Sequence, residues 1–334
     1  MAKTALSDII IPSVVEKYTQ ERTAAKSAMV QAGIIQRLPE FDALASGGGK
    51  TVDMPFWQDI TPARQIISDG SAMSVNKITA TKDIAIINND GNAWGVNDLV
   101  GMLSGADPVG AIVNLLAEYW ARTDQAYVVS CLKGMFASTL SSNFHNIAAE
   151  ATGSVSTATQ LTGLTFVDGT AKLGDNAEKL TVVAMHSAIE AALRKQDLIV
   201  YLPASDGKSQ MRTFQGRRVI VDDSLPTRAG TTSGTVYRTY LFGEGAFAYG
   251  VCPLNEPVDS GLGTKGLEWS RSALDSDTYL LNRRRYILHP RGVKFTSSSL
   301  AGTSPTNGEL ETSANWTRVF EAKNVRVVAI DHNA

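Results

Sequence analysis

The chain has 334 residues, of which 19% are charged, and a formal net charge of -2 at pH 7. This balance gives no reason to expect nucleic acid or an anionic membrane as the main partner. The length predicts two or three domains. Two widely separated cysteines, Cys131 and Cys252, fit a reducing compartment. Because no apolar run is long enough for a signal peptide or a membrane span, we expect a protein that stays in the cytoplasm unless it is packaged into something larger.

The first 46 residues predict a helical arm. A helix opens at Pro12 and stops at Gly33, and its apolar face is narrow. A narrow apolar face indicates a segment that lies on a neighbour and does not fold alone. A short connection over residues 34–44 then leads to the most flexible sequence of the chain, a hinge formed by Gly47, Gly48 and Gly49.

Residues 47–96 predict a long β-hairpin that leaves the body of the protein and returns to it. The segment 51–57 alternates like a strand, and a matching strand covers residues 84–94. The sequence between them is polar and rich in Ser, Thr and Lys. Since an isolated two-stranded ribbon is only marginally stable in water, we expect an adjacent subunit to order it.

The stretch from Asp107 to about Ser138 predicts the longest helix. Asp107 suits the N-cap, and Pro108 suits the first helical position. Apolar residues follow at spacings of three and four, and Trp120 lies on the apolar face, so we expect its ring in the core. Unbroken, the helix would be about 45 Å long at about 1.5 Å per residue. Such a length favours a beam across a flat subunit over a member of a compact bundle.

The second half of the chain predicts mainly strands and turns. A loop-rich segment with a short strand near residues 164–167 comes first, and a buried strand at 180–185 and a helix at 187–196 follow it. Further strands are predicted at 198–202, 217–221, 237–242, 246–251, 267–273, 278–288 and 324–330.

Two motifs resemble catalytic or ligand sites. Residues 47–51, Gly-Gly-Gly-Lys-Thr, resemble the end of a phosphate-binding loop, but Leu44 occupies the position of the first glycine and a strand follows where a helix is needed. A flexible hinge is therefore the favoured interpretation. The pair Asp222 and Asp223 could serve acid/base or metal chemistry. A turn is favoured, because Ser224 and Pro226 come directly after it.

The remaining polar residues show no catalytic pattern. The four histidines are scattered without ligand spacing, and Ser187 lacks the glycines of a nucleophile elbow. Arg283 and Arg285 alternate with Arg284 in a strand, so Arg284 faces the opposite side. A sheet edge or subunit contact is favoured over a nucleic-acid patch. We expect no enzyme activity, no cofactor and no metal.

The order of these parts is the strongest signal: arm, hinged hairpin, long helix, α/β segment, two long strands and a closing strand. It resembles the order in the major capsid proteins of tailed bacteriophages, whose shell fold is shared with herpesviruses and encapsulins. The resemblance extends over nearly the whole chain, and the segments that carry it are residues 8–12, 22–27, 32–35, 185–188, 214–226, 241–247, 283–292 and 315–319.

This resemblance implies an α+β fold with named parts. Residues 1–46 would be the N-terminal arm, and 47–96 the extended β-hairpin loop that reaches over a neighbouring subunit. Residues 97–179 and 255–334 would form the peripheral domain, with the spine helix at about 107–138. Residues 180–254 would form the axial domain around the five- and six-fold axes. The implied mechanism is assembly, in which pentamers and hexamers of this chain close into an icosahedral shell around a genome.

The resemblance also implies partners and contacts. The partners would be further copies of the chain, a separate scaffolding protein because the arm begins near Met1, a portal, an optional decoration protein, and packaged DNA held non-specifically. The protein would be assembled in the host cytoplasm and reside in the virion capsid. Inter-subunit contacts are expected at Phe56, Trp57, Lys77, Lys82, Trp94, Arg283 and Arg285. Some family members crosslink a loop lysine to a neighbour; Lys77 and Lys82 are the candidates by position, although solvated lysines are favoured.

Two alternatives to a viral shell protein stay open. An encapsulin-type nanocompartment shell shares the same fold, but the long hairpin with its glycine hinge and the helical arm favour the viral version. A soluble enzyme using the α/β segment would need a convergent polar site, which the sequence does not indicate.

Overall fold

The computed structural model describes residues 33–66, 69, 72–97, 108–203, 210–252, 267–272, 277–296 and 300–334. The predicted arm helix from Pro12 lies outside these residues. The helices are α1 (Pro39–Ser46), α2 (Pro108–Gly134), α3 (Gly163–Thr170), α4 (Ser187–Lys195) and α5 (Asn307–Glu311). The strands are β1 (Ile35–Arg37), β2 (Thr51–Trp57), β3 (Ala80–Ile86), β4 (Asn88–Asn97), β5 (Phe144–Asn146), β6 (Leu180–Met185), β7 (Ile199–Pro203), β8 (Gln210–Phe214), β9 (Arg217–Val221), β10 (Thr227–Ala229), β11 (Thr235–Gly243), β12 (Phe247–Cys252), β13 (Leu267–Arg271), β14 (Asp277–Pro290), β15 (Val293–Phe295), β16 (Trp316–Arg318) and β17 (Val327–His332).

The predicted long helix is present as α2, which we call the spine helix. It begins at Pro108, is about 40 Å long by the usual rise per residue, and continues into a π-helical turn at Met135–Thr139. Its C-terminal half lies in the main core with the fully buried Val128 and Leu132. Gly134 contacts α5 so closely that a Cβ would lie 2.0 Å from the carbonyl oxygen of Leu310. Only glycine fits at this crossing.

A five-stranded sheet packs beside the spine helix. Its longest strand, β14, pairs antiparallel with β4 on one side and with β13 and β12 on the other, and β1 adds parallel to β12. Helix α1 covers this sheet by placing Phe41 and Ala45 against Ala248 and Ile287. Residues 34–44 are therefore not the predicted connection. Pro39 at the helix start and acidic residues in its first turn favour the short helix instead.

An eight-stranded sheet forms the other half of the described structure, in the order β5-β17-β11-β6-β9-β8-β7 with β10 beside β11. Its own apolar core includes Phe166, Phe214 and Ile330. The predicted domain boundaries do not coincide with this sheet. β5 and β17 lie outside residues 180–254 in sequence, yet they join the strands of that segment because β17 pairs with β11 along its length.

Two further predictions are wrong. Residues 164–167 belong to helix α3, not to a strand, because Thr162 and Thr165 form a reciprocal capping box and Phe166 is buried on one face. The return strand of the hairpin is β3, which ends at Ile86, whereas β4 belongs to the five-stranded sheet. The apolar run at residues 84–87 marks the place where the chain enters the core between these two strands.

The C-terminal strand β17 carries a histidine that responds to pH. His332 is fully buried, and its ring lies 2.7 Å from Thr239 Oγ1 and 3.0 Å from the carbonyl oxygen of Asn333. Burial lowers the pKa of His332 to about 4. The unfolded chain binds its proton near pH 6.5, so the folded state loses stability as the pH falls from about 6.5 toward 4.

We expect this histidine to cost about 3 kcal/mol of unfolding free energy by pH 4, from the pKa difference at about 1.4 kcal/mol per unit. Urea denaturation at several pH values between 7 and 4.5 measures the slope, and His332→Gln should flatten it. The partly buried His145 also has a lowered pKa, from burial, and contributes in the same direction. His145→Gln is therefore the matched control; an equal change of slope in both variants would contradict the assignment.

Candidate assembly surface

The predicted hairpin has an inner half that is docked on the subunit. β2 and β3 pair from Thr51 opposite Ile86 to Trp57 opposite Ala80. Ala85 and Ile86 are buried, and the Phe56 ring packs edge to face on Phe320 with ring centres 4.9 Å apart. The strands therefore form part of the subunit's own structure up to their last pair.

A buried carboxylate fixes β3 to the body. Asp83 is 5% exposed, and its Oδ1 lies 3.1 Å from His289 Nε2. The N–H of Gly292 donates to its Oδ2 at 3.0 Å. Burial by itself would raise the pKa of Asp83, but His289 and the N–H donors of Gly292 and Ile84 outweigh burial and lower it. The carboxylate is thus held ionised at this contact.

We call the outer half of the hairpin, residues 58–79, the distal ribbon. Its described residues, 58–66, 69 and 72–79, lie outside the regular strands. Two sets of hydrogen bonds join its legs. The N–H of Gln58 donates to the carbonyl oxygen of Thr79 at 2.9 Å. The Gln65 side-chain amide donates to the carbonyl oxygen of Ser74 at 2.9 Å and accepts from the N–H of Ser74 at 2.7 Å. Large apolar side chains on it are between 51% and 99% exposed: Ile60, Ile66, Met73, Val75 and Ile78. Such a concentration of exposed apolar groups is typical of a surface that binds a partner.

The predicted contact residues fall into two groups. Trp57 and Lys77 are exposed on the hairpin, and Lys82 is exposed while its ammonium pairs with Asp53 across the strands at 2.6 Å. The others make contacts within the subunit. Phe56 meets Phe320 as described, Trp94 packs on Tyr119, Arg283 pairs with Glu268 at 2.8 Å, and Arg285 donates to Ala45 O at 2.9 Å.

Arg284, which the sequence only placed on the opposite face of its strand, connects that strand to the spine helix. Its Nη2 lies 2.6 Å from Asp124 Oδ1. Its Cζ atom lies over the rings of Trp120 and Tyr286, at 4.1 and 4.2 Å from the ring centres. Burial raises the pKa of Asp124, and Arg284 partly offsets that rise. Trp120 is partly buried beside this cation, so its ring lies at the margin of the core and not in its centre.

A second exposed apolar surface, which the sequence did not single out, lies at the edge of the eight-stranded sheet. β7 is the edge strand, and Val200, Tyr201 and Leu202 on it are 41–55% exposed. Met211 on the adjacent β8 is also 41% exposed. An exposed edge with apolar side chains is a surface suited to pairing with another chain.

The Asp222 and Asp223 pair forms a turn, in agreement with the favoured interpretation. Asp222 accepts from the N–H and Oγ of Ser224 and from Gln125 of the spine helix, and Asp223 accepts from the N–H of Ser187 at the start of α4. All four contacts are structural. Among the residues that the structure describes, no group of three His, Cys, Asp or Glu side chains could hold a metal ion.

A cleft of about 830 Å³ lies between the root of the distal ribbon and the body. Its charged side chains are four cations, Lys179, Arg291, Lys323 and Arg326, and two carboxylates, Asp59 and Glu321.

The described helices contain no segment long and apolar enough to cross a membrane.

No protein-family model matches the chain. It is 39% identical over 335 residues to the major capsid protein of Bacillus phage SPP1, and the match covers 99% of both chains. Among solved structures, the capsid of Ralstonia phage GP4 superposes with a TM-score of 0.63 at 12% identity, over 100% of this chain and 98% of the other.

Two further structures share the fold. The capsid of cyanophage Pam1 gives a TM-score of 0.60 at 9% identity, over 99% and 98% of the two chains. The holo-SrpI encapsulin complex from Synechococcus elongatus gives 0.56 at 11% identity, over 99% and 96%. These likenesses establish the α+β capsid fold, and the identity across the whole of both chains decides between the fold's members: the protein belongs to the family of major capsid proteins of tailed bacteriophages and is a structural protein of the capsid shell.

Proposed function

We propose that this protein closes into an icosahedral shell around a phage genome, and that its distal ribbon joins neighbouring subunits. The observation that carries the proposal is the row of exposed apolar side chains on residues 58–79. A ribbon of this kind is not stable alone in water, so another surface must order it. In a closed symmetric assembly each subunit places its ribbon on one neighbour and binds the ribbon of another, so the same interface is repeated at every contact.

Burial of these apolar side chains provides the driving force for the contact. Fully burying one Ile, Val or Met side chain is worth about 1.5–3 kcal/mol. Ordering the ribbon opposes this gain, since each residue fixed costs about 1–2 kcal/mol of backbone entropy. The hydrogen bonds between Gln58 and Thr79 and between Gln65 and Ser74 support the contact, because they hold part of the ribbon in place before it binds.

We also propose that the β7 edge is a contact between copies around a symmetry axis. Its exposed Val200, Tyr201 and Leu202 support this assignment. The five-stranded sheet with the spine helix would then be the peripheral part of the subunit, and the eight-stranded sheet the axial part. Family membership supports the further partners, namely a portal, a separate scaffolding protein and an optional decoration protein, with assembly in the host cytoplasm. The near-neutral charge supports a wall that encloses DNA without gripping it.

A single substitution on the distal ribbon tests the proposal. Val75 is 99% exposed, so Val75→Asp should leave the free subunit as stable as the wild type, within about 0.5 kcal/mol. It should raise the concentration needed for assembly by about tenfold or more, since 1.4 kcal/mol per contact is a factor of ten. Thermal unfolding and sedimentation velocity measure the two effects.

Asn76→Asp is the matched control, because it adds the same charge one position away at another exposed side chain. This variant should assemble like the wild type. Equal assembly by all three proteins would contradict the proposed role of the ribbon.

A further inference from the structure

Both legs of the hairpin are fastened to one strand of the body, β14, and the turn that follows it. The first leg is held just before β2. Arg285 donates from Nε to the carbonyl oxygen of Ala45 at 2.9 Å and from Nη2 to that of Gly47. These carbonyls lie at the C-terminal end of α1, where a cation is favourable. Gly47, the first residue of the predicted hinge, is therefore held by its own carbonyl group.

The second leg is held within β3. Asp83 reaches His289 of β14 and the N–H of Gly292 in the following turn, and both Asp83 and His289 are at least 95% buried. The Asp83 carboxylate resists leaving this site, because opening would separate a buried negative charge from the His289 ring and from the N–H of Gly292.

We infer that Arg285, Asp83 and His289 are positioning residues that set the direction in which the distal ribbon leaves the subunit. The inference rests on the proposed function of that ribbon. On this inference, the loop changes direction at the last strand pair, Trp57 and Ala80, where the paired strands end. The predicted hinge at Gly47, Gly48 and Gly49 does not set its direction. Contacts with β14 fix the direction of the distal ribbon before the subunit binds a neighbour. This lowers the conformational entropy that is lost when the ribbon becomes ordered on assembly.

Strand β14 also holds the spine helix by its other face. Arg284 points away from Arg285, as neighbouring residues of a strand do, and pairs with Asp124. The direction of the ribbon is thus tied to the position of the spine helix through consecutive residues of one strand.

Hydrogen exchange on the unassembled subunit tests the inference with Asp83→Ala. We expect amides of β2 and β3 to exchange about 10- to 100-fold faster, because local opening no longer separates a buried pair, while β11 and β17 keep their protection. The assembled product should contain fewer closed shells and more irregular particles. Asp83→Asn, which keeps an acceptor for the N–H of Gly292, should fall between Asp83→Ala and the wild type.

Asp53→Ala is the matched control, since it removes the exposed pair with Lys82 from the same hairpin. It should leave exchange and particle shape unchanged. Unchanged exchange in Asp83→Ala would overturn the inference, as would equal effects of Asp53→Ala. If Asp83→Ala does not fold, Arg285→Gln tests the first leg, and unchanged exchange of β2 in that variant overturns the inference.

The two proposals fail in different ways. Exchange is measured on the free subunit, so faster exchange in Asp83→Ala with normal shells would overturn the role of these residues in assembly. Normal assembly of Val75→Asp would instead contradict the ribbon contact and leave the exchange result standing.

Discussion

Replacing the distal ribbon with a tight turn should abolish shells and leave the subunit folded. The N–H of Gln58 donates to the carbonyl oxygen of Thr79 at 2.9 Å, so an Asn-Gly turn in place of residues 59–78 closes the hairpin at a hydrogen-bonded pair without disturbing its register. The docked inner half keeps Asp83 and the Phe56 contact with Phe320. Electron microscopy should therefore find no closed particles, while the melting temperature stays close to that of the full chain.

The boundaries of this deletion matter. The hairpin predicted from sequence ran to residue 96, and removing residues 51–94 would also remove the buried Ala85 and Ile87 and most of β4. That wider deletion should unfold the subunit, since β4 pairs with β14 over ten residue pairs. The narrow deletion separates assembly from folding; normal shells from it would show that the ribbon contributes no essential contact.

Arg284→Met should lower the unfolding free energy strongly, by about 3–5 kcal/mol. The side chain of Asp124 is 14% exposed, and without Arg284 its carboxylate is left buried, with no cation between it and the carboxylate of Asp90. Because burial raises the pKa of Asp124, protonation relieves part of this cost. The loss measured by urea denaturation should therefore be smaller at acidic pH than at neutral pH.

Arg283→Met is the neighbouring control. The Arg283 pair with Glu268 has side chains 36% and 43% exposed, and pairs of that exposure are worth about 0–1 kcal/mol. Similar losses in the two variants would contradict the view that the two faces of β14 differ in their role.

Periodicity and capping located the elements whose signals are local. The spine helix follows from Pro108 and a repeating apolar face, and β6 follows from an apolar run typical of a buried strand. The opposite orientations of Arg284 and Arg285 follow from the alternation of a strand. What could not be read locally was the partner of each strand.

The misassigned hairpin illustrates this limit. β3 and β4 are separated by Ile87 alone, and the sequence of β4 carries no mark of its pairing with β14, nearly 190 residues later. The same holds for β17, which enters the eight-stranded sheet from the end of the chain. Among the residues predicted to contact a neighbour, Trp57 and Lys77 are exposed, whereas Arg285 points inward and donates to a carbonyl group of α1.

A reconstruction of assembled particles by electron cryomicroscopy tests the proposed role of the distal ribbon most directly. We predict that residues 58–79 lie on a neighbouring subunit, with Ile66, Met73 and Val75 buried against it, while Asp83 remains in contact with His289 of its own chain. A protein that stays monomeric at high concentration, with and without a scaffolding partner, or a shell in which this ribbon folds back on its own subunit, would contradict that role.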